Sequence, residues 1–256
     1  MIDIHCHMLP GLDDGPSSED ESVELARAAV ATGTRAVVAT PHIRSDHPFA
    51  HERIEELAAR LRERLAAEGV ELELLTGGEI ALSELDLIDE QRLRDLALGT
   101  GDCLLVESPY GQVGELLEGM LADLRRRGFR PVLAHPERAP AFQEDPARLA
   151  RLVEKGVLTS ITAASMEGRF GKPARRMCVQ MLKDGLVHDV ASDAHSARGR
   201  PPGLAGGFQA MSDELRGLED HATWYVRDAP AAMVSGRPLP PRPPSPGGRS
   251  AFFRRR

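Results

Sequence analysis

Nine side chains able to ligate a metal or move a proton share one context in this 256-residue chain. All but one close a short apolar run or follow it by a few residues. His5 and His7 end the run that begins at Ile2, and His42 follows Ala36-Val37-Val38-Ala39. Glu79 follows Leu72 to Leu75, Glu107 follows Cys103-Leu104-Leu105-Val106, and His135 follows Pro131-Val132-Leu133-Ala134. Asp193 and His195 follow the run from Leu186 to Ala191, and Asp14 lies in the loop Leu9-Pro10-Gly11-Leu12-Asp13-Asp14-Gly15. On a strand alternate side chains share a face, so Asp3, His5 and His7 point one way and Ile2, Ile4 and Cys6 the other. Two imidazoles so placed can grip one ion from a rigid backbone.

A single strand-end histidine is usually just hydrogen-bonded, but so many converging groups of this charge would repel one another unless cations sat among them. Nine ligands exceed what one ion needs, since a catalytic zinc takes about three protein ligands. Two or three ions sharing bridging carboxylates would use them all. Mixed imidazole and carboxylate donors suit manganese, iron or zinc over calcium or magnesium. Such a cluster generates a hydroxide nucleophile near neutral pH and clamps phosphoryl oxygens. Phosphate also calls for a fixed cation. Arg138 stands just beyond His135, and Arg198 and Arg200 follow His195; a guanidinium holds phosphate oxygens bidentately. A thiol mechanism does not fit, because the positions six residues after Cys6, Cys103 and Cys178 are Leu12, Pro109 and Asp184, not arginine. No Gly-rich phosphate loop followed by Lys-Ser or Lys-Thr is present.

The elements that must position these groups alternate between strand and helix. Ser17 or Ser18 caps a first helix with a capping box, Val23, Ala26, Ala29 and Val30 form its apolar stripe, and Gly33 ends it. A second helix carries Ile54, Leu57, Leu61 and Leu65 and stops at Gly69. Further helices are expected over about 84–97, up to Gly128, from Asp145-Pro146 to Gly156, and up to Gly185. Strand ends recur near residues 5, 39, 79, 107, 135, 162 and 191, at intervals of 27–40 residues. That spacing means parallel strands joined by helical crossovers. Seven units favour a closed or nearly closed barrel, with an open doubly wound sheet as the alternative; in such barrels functional groups gather at the C-terminal strand ends.

Composition sets the outer limits. Apolar content of 41% suits a globular core, and no apolar run approaches the roughly 20 residues of a membrane span. The first residues have neither the basic nor the apolar region of a secretory signal, and scattered cysteines fit buried thiols in a reducing cytoplasm. Net charge is −7, yet residues 236–256 hold six arginines and no acid, so the remainder carries about −13. That acidity argues against a nucleic-acid surface. Residues 236–250 are rich in Pro and Gly and are expected to form an extended, disordered linker, followed by the basic, aromatic end Phe252, Phe253 and Arg254 to Arg256.

Taken as an ordered set, Asp3-Ile4-His5-Cys6-His7, the Leu9 to Gly15 loop, Ala39-Thr40-Pro41-His42, Gly78-Glu79, His135-Pro136-Glu137-Arg138, Gly168-Arg169-Phe170-Gly171 and Ser192-Asp193-Ala194-His195 resemble one family. It is the bacterial manganese-dependent tyrosine phosphatases of the polymerase-and-histidinol-phosphatase (PHP) superfamily, found in capsular polysaccharide operons. The resemblance covers about residues 1–235 and implies a single α/β domain, a distorted (β/α)7 TIM-like barrel, with 236–256 as a tail. It implies three ions: one on His5, His7, Glu79 and Asp193, one on Glu79, Glu107 and His135, and one on Asp14, His42 and His195. It further implies a metal-bridging hydroxide attacking phosphorus, Arg138 and Arg200 on the phosphate, and His42 counted with them as catalytic. The implied substrate is the tyrosine-rich tail of a cognate kinase controlling capsule or exopolysaccharide synthesis. A small-molecule phosphatase acting on compounds such as histidinol phosphate, a non-catalytic kinase-binding regulator and an oligomeric assembly stay open. Ile43-Arg44 departs from the family, which often has a basic residue or histidine directly after the position of His42.

Overall fold

The computed structural model describes residues 1–47, 50–107 and 115–246. Strands β1 (Ile2–Cys6), β2 (Ala36–Ala39) and β4 (Glu73–Thr76) form one parallel sheet in the order β1-β2-β4. Strands β3 (His42–Ile43), β5 (Glu79–Ala81), β6 (Cys103–Glu107), β7 (Arg130–Ala134), β8 (Leu158–Thr162) and β9 (Asp189–Ala191) form a second, in that order and also parallel. Residues Cys103 to Val106 are fully buried, as expected of a strand covered on both faces.

Two of the seven expected strands are each broken into two. Between β2 and β3 stand Thr40 and Pro41, and proline has no N–H to give to a ladder. Between β4 and β5 stand Gly77 and Gly78. A Cβ on Gly78 would lie 2.9 Å from Ile43 Cγ1 and from Leu96 Cδ2, so only glycine lets the backbone step across there. The step is bridged by Gly77 N donating to Ala39 O (3.0 Å) and Glu79 N to Pro41 O (3.0 Å). On the far side, His7 N donates to Ala194 O and Asp193 N to His5 O, both at 2.8 Å, tying the end of β1 to the turn after β9.

Helix α2 (Ala50–Ala67) packs on β4, and α1 (Glu19–Ala31) packs on α2. Ser18 is the N-cap of α1 and accepts from Glu21 N, while the Glu21 carboxylate reaches back to Ser17 N at 2.7 Å. Val30, expected in its stripe, is only half-buried; Leu25 fills that role. The helix expected over 84–97 shrinks to α3 (Glu90–Asp95), because Asp89 caps it by accepting from Arg92 N and Leu98 turns back to donate to Cys103 O. The remaining helices are α4 (Glu115–Arg126), α5 (Pro140–Glu144), α6 (Pro146–Glu154), α7 (Ala163–Met166), α8 (Gly171–Lys183), α9 (Ala205–Met211) and α10 (Ala229–Val234). Residues Leu186 to His188 are not strand: Thr159 Oγ1 donates to Leu186 O, and Thr159 N to His188 Nδ1 at 3.2 Å.

Residues 237–246 form no helix or strand, yet they are attached to the body. Arg130 donates to Arg237 O (3.0 Å), Trp224 Nε1 to Pro240 O (3.4 Å), and the Arg242 guanidinium stands 5.8 Å from the Trp224 ring. The proline-rich stretch is pre-extended and so loses little freedom in lying there. Phe252, Phe253 and the three final arginines lie outside the described residues.

Candidate metal centre

All nine side chains singled out in the sequence converge at the C-terminal ends of the strands. At the centre, His5 Nε2 and His7 Nε2 lie 3.3 Å apart. Glu79 Oε2 is 3.2 and 3.3 Å from them, and Asp193 Oδ1 is 3.4 Å from each. Ligands arranged tetrahedrally about 2.1 Å from an ion stand about 3.4 Å from one another. The four atoms therefore have the spacing of a coordination shell. Glu79 Oε2 also lies 3.0 Å from His42 Nδ1, and both atoms are buried without an aligned hydrogen bond among the described residues. A buried oxygen facing three imidazole nitrogens in this way fits a cation.

Three further groupings surround this core, each with its ligand atoms within 4.8 Å of one another. His5, Glu79 and His135 form one, with Glu79 Oε1 and His135 Nε2 2.8 Å apart. His42, Glu79 and Glu107 form another, and His7, Asp14, His42 and His195 a third. In the last, Asp14 Oδ1 is 3.1 Å from His195 Nε2 and 3.6 Å from His42 Nε2. The set Glu79, Glu107 and His135 is divided between two groupings, and Glu107 leans toward Arg44, 3.7 Å away.

Backbone conformation marks the same place. His135 (φ 34°) and Asp193 (φ 53°) are the non-glycine residues with positive φ among those described. Such conformations cost on the order of 1–3 kcal/mol and persist where surrounding bonds over-determine them. His135 N donates to Ser160 O (2.8 Å) as β7 ends. The two left-handed turns, after β7 and after β9, carry these ligands into the mouth.

The electrostatics follow from burial of opposite charges. Burial pushes the Glu79 carboxyl up, but His5, His135 and His42 hold it well below the usual range. Burial likewise opposes ionisation of Asp193, and His5, His7, His135 and Arg138 more than reverse it. Glu107 is raised, by burial first and then by the charge of Glu79. His195 is lowered to about 4 by burial and the neighbouring His7.

Asp13 and Glu137 escaped the sequence reading. Asp13, beside the expected ligand Asp14, is buried and meets His7 Nδ1 at 2.6 Å. It also accepts from His42 N and Gly15 N, both at 2.9 Å. A carboxylate in that position keeps the proton on Nδ1 and turns the Nε2 lone pair toward the cluster. Asp3 shares the face of His5 but lies deeper, accepting from Ser192 N (3.1 Å), and joins none of the groupings. Arg138 and Arg200 both donate to Asp193 Oδ2, at 2.6 and 2.5 Å, and Arg138 also donates to Thr162 Oγ1 (2.8 Å). Buried Glu137 accepts from the Thr162 N–H and hydroxyl at 3.1 Å each, bracing that partner. The three cysteines are free and buried, with burial pushing the Cys103 thiol up to about 12 and the other two up as well. None offers a thiolate.

Residues 1–231 match the family described as capsular polysaccharide synthesis, CpsB/CapC. The chain is 40% identical to the tyrosine-protein phosphatase YwqE of Bacillus subtilis over 207 residues, 78% of this chain and 79% of that one. To the tyrosine-protein phosphatase CpsB of Streptococcus agalactiae serotype V it is 30% identical, over 91% of this chain and 98% of that one. It superposes with a TM-score of 0.81 on a solved structure from a study of YwqE from Bacillus subtilis and CpsB from Streptococcus pneumoniae, described as unique metal-dependent tyrosine phosphatases. That match covers 97% of this chain and all of the other, at 33% identity. With ligand-like side chains converging at its strand ends and this degree of similarity along nearly its whole length, the chain belongs to the CpsB/CapC capsular polysaccharide synthesis family.

Proposed function

We propose that this chain is a metal-dependent protein-tyrosine phosphatase that acts on the tyrosine-rich tail of a cognate kinase of capsule or exopolysaccharide synthesis in the cytoplasm. The observation that carries the reading is the shell of His5, His7, Glu79 and Asp193, with two arginines fixed on the outer oxygen of the same aspartate. Similarity to proteins named tyrosine phosphatases supports the reaction class. In this reading residues 1–235 are the catalytic unit, and the two sheets are the arcs of one distorted (β/α)7 barrel. The bonds from Gly77 and Glu79 on one side, and from His7 and Asp193 on the other, support that closure. The nine residues would hold two to three ions, with Glu79 shared. Donors that are imidazole and carboxylate, without an accessible thiolate, favour manganese.

When bound, such ions supply a hydroxide nucleophile near neutral pH and neutralise phosphoryl charge. The residues of the chain do the rest. Asp13 orients His7, and Asp193 holds Arg138 and Arg200 with their guanidinium groups converging, ready to orient two phosphate oxygens and to stabilise charge on them. His42 stands beside Asp14 and Glu79, between two of the groupings. A phenolate leaving group, with a pKa near 10, needs little protonation.

The test is hydrolysis of a phosphotyrosine peptide by metal-stripped protein with and without added manganese. Activity that returns with manganese and vanishes with chelator is the expected result. Manganese uptake without hydrolysis would overturn the substrate assignment, and no uptake would overturn the centre itself.

A further inference from the structure

Phe170 is an exposed aromatic in a place where exposure needs a reason. Its side chain is 41% exposed, at the residue preceding α8, and it makes no capping hydrogen bond there. The Arg138 guanidinium carbon lies 3.5 Å from the centre of its ring, and that of Arg200 lies 5.9 Å away. The same ring borders a cavity of about 190 Å³, walled also by Ala164, Arg200 and Pro201 and reaching Asp193 at its inner end. The cavity thus lies beside the Arg200 guanidinium and against the ring on which Arg138 stacks, with Pro201 also in its wall.

We infer that this cavity is an aryl subsite and that Phe170 selects phosphate esters whose ring is attached directly to the ester oxygen. The inference rests on the phosphatase reading for the position of the phosphate. In an aryl phosphate the ring begins one bond from the bridging oxygen, so it must lie next to the groups that hold the phosphate. In an alkyl phosphate, or in a ligand such as histidinol phosphate, that place is taken by a slim methylene, and any ring comes further out. An aromatic wall against the phosphate-binding arginines therefore rewards the first and is indifferent to the second. Ring pairs in offset or edge-on contact are favourable beyond the area they bury, and guanidinium planes stack on rings as well.

A rival role for Phe170 is to steady Arg138 alone, and the experiment separates the two. Binding of benzylphosphonate, whose methylene stands where the ester oxygen would be, and of methylphosphonate to the manganese-loaded full chain is measured by calorimetry for wild type, Phe170→Ala and Phe170→Tyr. Neither ligand can be hydrolysed, so turnover does not enter. Wild type should prefer benzylphosphonate. Phe170→Ala should lose about threefold to tenfold in benzylphosphonate affinity with methylphosphonate unchanged, the range expected of one aromatic contact, and Phe170→Tyr should retain the preference. Equal weakening of both ligands in Phe170→Ala, or of neither, would overturn the subsite. If wild type hydrolyses a phosphotyrosine peptide while its aryl preference survives Phe170→Ala, the subsite falls and the phosphatase reading stands. If no hydrolysis occurs but the preference is lost in Phe170→Ala, the subsite stands and the phosphatase reading falls.

Discussion

His7 shows how closely this centre depends on single hydrogen bonds. One ring nitrogen meets Asp13 at 2.6 Å, and the other faces His5, Glu79 and Asp193. Burial disfavours a charge on the imidazole, yet Asp13 first, then Asp193 and Glu79, raise its pKa well above the ordinary value. A cation entering must displace that proton, so metal uptake should weaken as pH falls. Asp13→Asn keeps the shape but removes the carboxylate that sets the tautomer. It should lower metal affinity by about 10–100-fold with secondary structure retained, as measured by metal titration alongside circular dichroism. Asp13 and Asp14 are adjacent and chemically identical in the sequence. Which one faces inward is decided by the Leu9 to Gly15 loop, where Gly15 N donates to Asp13 Oδ1 at 2.9 Å.

At the scale of elements, the step between β4 and β5 is the most sensitive joint. Gly78→Ala would force Ile43 or Leu96 to move and carry Glu79 with it. A loss of about 1–3 kcal/mol in denaturant unfolding is expected, together with weaker metal uptake; an unchanged midpoint would contradict the packing described. The residue just before β9 carries a different prediction. His188 is buried, and burial, then the charge of Arg242, lowers its pKa well below the usual value. The unfolded chain takes up that proton near pH 6.5 and the folded one does not, so this residue's contribution to stability is intact above pH 6.5 and is lost as pH falls below it. Denaturation midpoints of wild type and His188→Asn, compared from pH 7.5 to 5.5, should diverge with a slope of at most about 1.4 kcal/mol per pH unit, the variant being less sensitive to acid.

For the whole molecule the governing fact is an acidic body holding a cluster of carboxylates and imidazoles at its strand ends. Bound ions would stabilise it by about 3 kcal/mol at a free concentration near 100 times Kd, which corresponds to roughly 5–10 °C in a chain of this size. Differential scanning calorimetry before and after chelation should show a loss of that order, restored by manganese; no shift would deny the ions a place in the folded state. Among the described residues no helix is long and apolar enough to cross a membrane.

The sequence by itself determined the alternation of strand and helix and the position of every candidate ligand, because apolar strands announce themselves by composition and their ends by the polar residue that stops them. It also excluded thiol chemistry, through the absence of arginine six places beyond each cysteine. Tertiary structure alone decided which ligands share a point in space, since a carboxylate such as Glu79 meets His5, His7, His42 and His135 only when the ends of β1, β3, β5 and β7, drawn from both sheets, come together. It likewise separated Asp3, one layer too deep, from the cluster, and brought Phe170 onto Arg138 across 32 residues of chain. Spacing along the chain records what one strand presents. Contacts between elements depend on register and on left-handed turns such as those at His135 and Asp193, which no local pattern of residues specifies.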